Sequence, residues 1–450
     1  MATLDAQIAH IWRRLGFSAT RAEVDAGVAI GPSALIDDLL SRPLVPFSAC
    51  GFPAASASSD ASMVRQLEVM AYGPSASGSG ITSPQYHPLQ ERLTWMLQGL
   101  VVIAIVDSVY HADMLDHLAL LRTAPSITYR SLLTQVSTRP GMLKYLSGNT
   151  NTVSHPNQNY ARELAELFAL GRVDAATGTA NYTQADVTEM ARALTGWAYD
   201  WNTGGTMFQA YNWDSGQKTF LGAPRGAAGL NEVIAALVGH PAWKTYVPAR
   251  VYKELVGLTA TPTVLAQLAP AWGTDGDLLA LVGAIARRPE FLSDQAIMAR
   301  TKSPVERIVA ATRLLGWTGL TTDPNMSWHV NRLNQHPFVA PNVSGWPKGD
   351  QWLNATNLQV WCEVANSMAM RGFIWDGSTN GPVNPTVTQV FQNSSAATAA
   401  AYVTHLAGID PVTTKTAAAL DAYAKAGPWQ LARAAGLLDL VLMSPEFLAN

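Results

Sequence analysis

Glu163, Glu166, Asp186 and Glu189 fall in one 39-residue run, Asn159 to Trp197, together with Arg162 and Arg192. Only 14% of the 450 residues are charged, so this concentration of charge asks for a cause. Two carboxylates of unequal proton affinity are the equipment of glycoside hydrolysis. One, protonated, donates to the leaving oxygen, and the other attacks or activates water. A neighbouring arginine holds one of the pair ionised and keeps their pKa values apart. On this reading Glu163 and Glu166 are the first catalytic candidates, followed by Asp186 and Glu189. Arg162 and Arg192 position and tune them, Asn159 hydrogen-bonds a carboxylate or a substrate hydroxyl, and Trp197 offers a stacking surface. The plainer reading is a set of ion pairs on solvated helix faces, each contributing about 0.2–0.5 kcal/mol.

The elements that must position these groups are two helices, expected over 157–170 and 183–195. In the first, Tyr160, Leu164, Leu167, Phe168 and Gly171 form an apolar stripe, with Asn159, Arg162, Glu163 and Glu166 on a contiguous second one. The second opens on Thr183 and Asp186, the spacing of a capping box, which alone accounts for Asp186. Val187, Met190, Ala191 and Leu194 face inward, leaving Asp186, Glu189 and Arg192 on the other side. The polar stripes converge only if the two helices form an antiparallel hairpin.

A second group of candidates lies in the loop Gly345 to Asn354. Trp346 and Trp352 look exposed there and form a sugar-stacking platform, with Asn354 as a further substrate ligand; the alternative is two indoles plugging the core. Lys302 and Glu306, four apart, read most simply as an ion pair. The nine histidines show no metal spacing such as HExxH, and no GxSxG, GxGxxG or Walker loop occurs. No organic cofactor is implied, although the carboxylates leave a divalent cation open.

Composition bounds the rest. A net charge of −3 offers no basic surplus for nucleic acid or an anionic membrane. Cys50 and Cys362 are expected to be free, buried thiols. The run Leu93 to Val106 is too short to span a bilayer and reads as part of a buried helix over 88–106. The N-terminal residues lack a signal-peptide pattern, so the expected compartment is the cytoplasm, with export or a trimmed start still open. Helical periodicity recurs almost throughout, predicting an all-α fold: one domain over 1–450, or two packed helical lobes. The only strands expected are short pieces at 206–211 and 218–221, forming one hairpin. Loops are expected at 72–85, 200–226 and 375–394. A repeated helix-stop, apolar helix then Pro then an aromatic or long apolar residue, occurs at 132–146, 278–292 and 437–448.

Beyond these patterns, HPNQNYARELAELFALG followed by YTQADVTEMARALTGW resembles the signature of the bacterial family called domain of unknown function 1800. RRLGFSAT, GQKTFLG, HPAWKTYVPARVYKELV, RRPEFL, TKSPVER, NVSGWPKGDQWLN and SPEFL resemble further family blocks in order. The resemblance implies a large, mainly helical protein, often encoded beside a sulfatase- or phosphatase-like partner. Two blocks depart from it. TWMLQGLVV keeps Trp95 where the family shows a Trp-His-x-His-Phe-like segment, and Trp213-Asp214 stands where it has His-Asp. The leading expectation is a glycoside hydrolase acting on a poly- or oligosaccharide. The competing one is a non-catalytic binding or assembly protein acting with a phosphatase-like partner.

Overall fold

The architecture is mainly α-helical, with 22 α-helices and two small two-stranded sheets among the described residues of this computed structural model. Those residues are 2–74, 86–372, 379, 381–409 and 411–449. At its centre lies the helix Pro304–Leu315, all twelve of whose residues are buried. Pro304 supplies a fixed φ at the first helical position, and Gly316 in the left-handed region ends the helix. Ser59–Tyr72, Ala355–Ala369 and Pro385–Asn393 pack around it. A helix with no solvated face must satisfy its charges internally. Glu306, Arg307 and Arg313 all do so, against residues distant in sequence.

The helix Pro88–Gln98 is buried everywhere except Met96, and it carries Gln90, Glu91, Arg92, Thr94 and Gln98 inward with it. Glu91 pairs with Arg122 and Arg92 with Glu306. One contiguous apolar cluster runs from Ile8 to Leu448, with a small satellite of Val45, Cys50 and Val69.

Several expectations need correction. The helix over 88–106 stops at Gln98; Gly99 follows, and 100–104 continue as buried, non-helical chain. The single expected hairpin is two: Trp197–Tyr199 pairs with Thr206–Phe208, and Lys218–Phe220 with Ala223–Gly226. Tight local turns thus pair each strand with its nearest neighbour instead of joining 206–211 to 218–221. The segment 200–226 is accordingly not a plain loop. Of the loop expected at 375–394, residues 385–393 form a helix begun by Pro385, while 375–378 and 380 lie outside the described residues. In the loop at 72–85, residues 75–85 also lie outside them. Cys50 is buried, but Cys362 is exposed.

The helix-stop appears in all three copies. Leu278–Ala286, Leu431–Met443 and Tyr129–Ser137 are each followed by a short turn opened by proline. Phe291 and Phe447 fold back into the core. No helix among the described residues is long and apolar enough to cross a membrane.

Candidate functional site

The charged run folds locally much as its pattern requires. Thr183 accepts from the amide of Asp186, and Asp186 accepts from the amide and hydroxyl of Thr183, both at 2.7 Å. Its other oxygen takes the Leu221 amide at 2.7 Å. Burial alone would raise the Asp186 pKa, but these hydrogen bonds outweigh it and hold the carboxyl below its usual value. Glu189 pairs with Arg192 at 2.9 Å, and Arg192 also grips Asp214 at 2.7 Å. Asp186, Glu189 and Arg192 thereby fasten the helix Gln184–Ala193 to the second hairpin. Trp197 is half-buried against Phe208, 5.3 Å between ring centroids.

The first helix departs from its expected form. Asn159–Glu163 is α-helical, but Leu164–Ala169 widens into a π turn closed by the Leu170 amide on the Ala165 carbonyl at 2.8 Å. Two carbonyls of this turn are taken from outside. Arg250 binds that of Leu167 at 3.0 Å, and the Tyr129 hydroxyl that of Phe168 at 2.8 Å. Arg162 does not reach Glu166. It binds Gln184 at 2.9 Å, while Glu166 accepts from the Tyr182 hydroxyl at 2.5 Å. Glu163 is partly buried, and burial, then the charge of Glu166, raise its pKa. Asn159 is exposed at the helix start, where its amide is capped by Asn157. The two helices do pack together. Their polar stripes, however, are joined by Arg162, Gln158 and Gln184 and do not pool their carboxylates.

A half-open cavity lies elsewhere. It measures about 340 Å³ and is walled by the end of Pro88–Gln98, the helix Tyr246–Val256, residues 299–303 and the loop 346–352. Gly345 turns close against Gly99: at φ +82°, a Cβ there would sit 3.0 Å from the Gly99 carbonyl oxygen. That close approach lays Trp346 on Trp95, centroids 5.3 Å apart and nearly parallel. Trp346 and Trp352 are only 7% and 3% exposed. The expected open platform is therefore corrected: both indoles are buried, yet both line the cavity. Asn354 is spent on capping the helix Ala355–Ala369, accepting from the Asn357 amide at 2.9 Å.

Charge in this cavity is organised around Glu306. The expected Lys302–Glu306 ion pair does not form. Lys302 turns to the carbonyls of Phe447 and Ala449, whereas Glu306 is held by Arg92, Arg300 and the Ser303 amide. Helical spacing cannot see partners that arrive from other elements. Burial would raise the Glu306 pKa, but Arg300 and Arg92 push it far below the usual carboxylate range. Glu306 is thus a fixed negative charge and no proton donor. Arg300 also binds Glu254 at 2.8 Å, and Arg92 lies 4.0 Å from the same carboxylate. Asp350 accepts from the Thr301 hydroxyl at 2.6 Å. Lys348 is an exposed residue, yet loss of water around its amine, with Arg250 and Arg300 nearby and Glu254 opposing, lowers its pKa to about 8. That is a value at which an amine exchanges protons near neutral pH.

Arg250, Glu254, Arg300, Lys348 and Asp350 escaped the reading of residue types because three separate segments contribute them. The nearest signal was the Gly345-Trp346-Pro347-Lys348-Gly349-Asp350 loop itself. Among the described residues, no three His, Cys, Asp or Glu side chains come together to hold a metal ion.

Fold and cavity together describe a mainly helical protein with an aromatic, charge-lined cavity. The chain belongs to the family described as Protein of unknown function (DUF1800), whose model matches residues 10–449. No curated protein and no solved structure matches it. The segments RRLGF, HPAWKTYVPARVYKELV, TKSPVER and NVSGWPKGDQWLN, which carry the family resemblance, all meet at this cavity or directly behind it.

Proposed function

We propose that this protein is a hydrolase acting on a saccharide, and that its substrate enters the cavity beside Trp346 instead of lying along the paired helices. One observation carries the reading: three indoles, Trp95, Trp346 and Trp352, wall a cavity that also presents Glu254, Asp350 and Lys348. Apolar faces beside a few placed polar groups are what a sugar ring requires. Glu254 and Asp350 take the two carboxylate roles, since Glu306 is locked as an ion. Lys348 serves as an additional proton-exchanging group. Glu163 and Glu166 remain the alternative pair, supported by the raised pKa of Glu163 and by the adjoining π turn.

The test is product release from a panel of bacterial and plant glycans, with Glu254→Gln, Asp350→Asn and Glu163→Gln run beside the parent. The reading expects turnover to fall at least about 100-fold in the first two variants and under threefold in Glu163→Gln. Loss confined to Glu163→Gln moves the chemistry to the helices.

A second reading, a non-catalytic binding or assembly protein working with a phosphatase-like partner, is favoured by one observation. Asp186, Glu189 and Asp214 are each consumed by a cap or by Arg192. Silence across the whole glycan panel supports it.

A further inference from the structure

We infer that this cavity contains an oxyanion subsite beside Gly257, formed by Arg300 and Lys348 with Arg14 behind them, so that the saccharide it takes carries a negatively charged group such as a uronate carboxylate. The inference rests on the saccharide reading above and narrows it.

The argument is one of charge. Arg250, Lys253, Arg300 and Lys348 lie on the wall, and Arg14 and Arg92 lie directly behind it. Against these six cations stand three carboxylates, Glu254, Glu306 and Asp350. A chain of net charge −3 has gathered a positive surplus at its cavity. Each carboxylate also has a partner within the protein. Both oxygens of Glu306 are occupied by Arg92, Arg300 and the Ser303 amide, Glu254 is held by Arg300, and Asp350 takes the Thr301 hydroxyl.

Arg14 is the residue left over. It is 1% exposed, donates through Nη2 to the Ala296 carbonyl at 3.0 Å, and has no partner at Nε or Nη1. No carboxylate lies within ion-pair distance of it among the described residues. A guanidinium keeps its charge even when buried, so an unmatched one is costly. Gly257, on the cavity wall, packs against it: a Cβ there would come 3.1 Å from Arg14 Nη2, and equally from Ala299 Cβ, and φ of +84° suits glycine. An oxyanion in the cavity would meet Arg300 and Lys348 directly and feel Arg14 through a low-dielectric wall. Guanidinium groups pair with planar carboxylates in particular.

Calorimetric titration of the full chain tests this with a galacturonate oligomer, the same oligomer carboxyl-reduced to neutral galactose units, and inorganic sulfate as a free anion. Lys348→Met is the variant, because the residue is exposed and its loss leaves the Glu306 cluster intact. The expected result is that the acidic oligomer binds at least about tenfold tighter than its neutral form, that added salt shrinks the difference, and that Lys348→Met brings it below about threefold. Equal binding of the two oligomers overturns the subsite and keeps the saccharide reading. Sulfate binding that depends on Lys348, with neither oligomer bound, keeps the subsite and overturns the saccharide. No heat from any probe overturns both.

Discussion

Lys348 and Glu163 are two residues at the candidate sites whose protonation the structure shifts, each by burial first and by a neighbouring like charge second. Loss of water around the Lys348 amine depresses its pKa most; of the charges facing it, Arg250 and Arg300 add to that and Glu254 opposes. If the ammonium form helps hold an anionic sugar, affinity is full below about pH 8 and is lost as pH rises through that value. Lys348→Arg, charged throughout, should erase that limb; dissociation constants measured from pH 6 to pH 10 check it. Glu163 works the other way. Its folded carboxyl binds a proton more tightly than the unfolded one, so stability falls as pH rises from the ordinary glutamate value through the raised one. Glu163→Gln should flatten that segment of a urea-unfolding series across pH, and an unchanged slope would show that Glu163 is not the cause. Residue roles set by near neighbours were legible in the sequence. The Thr183–Asp186 box lies within one helical turn. The partners of Lys302 and Glu306 were not, because they arrive from residues 447, 449, 92 and 300.

Elements were legible wherever one face met one core. Gln184–Ala193 lies within the helix expected over 183–195. The reading failed where tertiary partners reshape the backbone. The π turn at Leu164–Ala169 has its carbonyls drawn off by Arg250 and Tyr129, which no local pattern announces. It also failed at Pro385–Asn393, whose polar composition hides a helix packed on Leu431–Met443. The element most exposed to a single change is Pro304–Leu315. Glu306→Gln would leave Arg92 and Arg300 without their buried counter-charge, at a cost of about 3–5 kcal/mol. Chemical denaturation measures it directly. The parent should lose part of its stability below about pH 4, where the unfolded glutamate takes up protons that the folded one refuses. Glu306→Gln should lose that dependence.

At the scale of the whole molecule, the chain's two ends are tied to the cavity. Arg13 and Arg14 belong to the first helix, and the turn Pro445–Leu448 is clasped by Lys302, which donates to the Phe447 carbonyl at 2.6 Å. The Lys302 amide binds the Leu448 carbonyl at 2.8 Å, next to Thr301 on the cavity wall. Removing residues 445–450 should therefore strand a buried amine, cost about 2 kcal/mol or more, and weaken ligand binding through the loosened 299–303 segment. Calorimetric melting with and without ligand separates the two effects. The mainly helical fold followed from periodicity alone. The cavity did not, since its walls come from chain segments more than 200 residues apart that only the packed core brings together.

The most direct measurement is amide hydrogen exchange of the full chain with and without a bound saccharide. Substrate in the tryptophan-lined cavity predicts new protection in residues 299–303 and 345–352, with 159–169 and 183–192 unchanged. Protection confined to those two helices would contradict the account and return the site to Glu163 and Glu166.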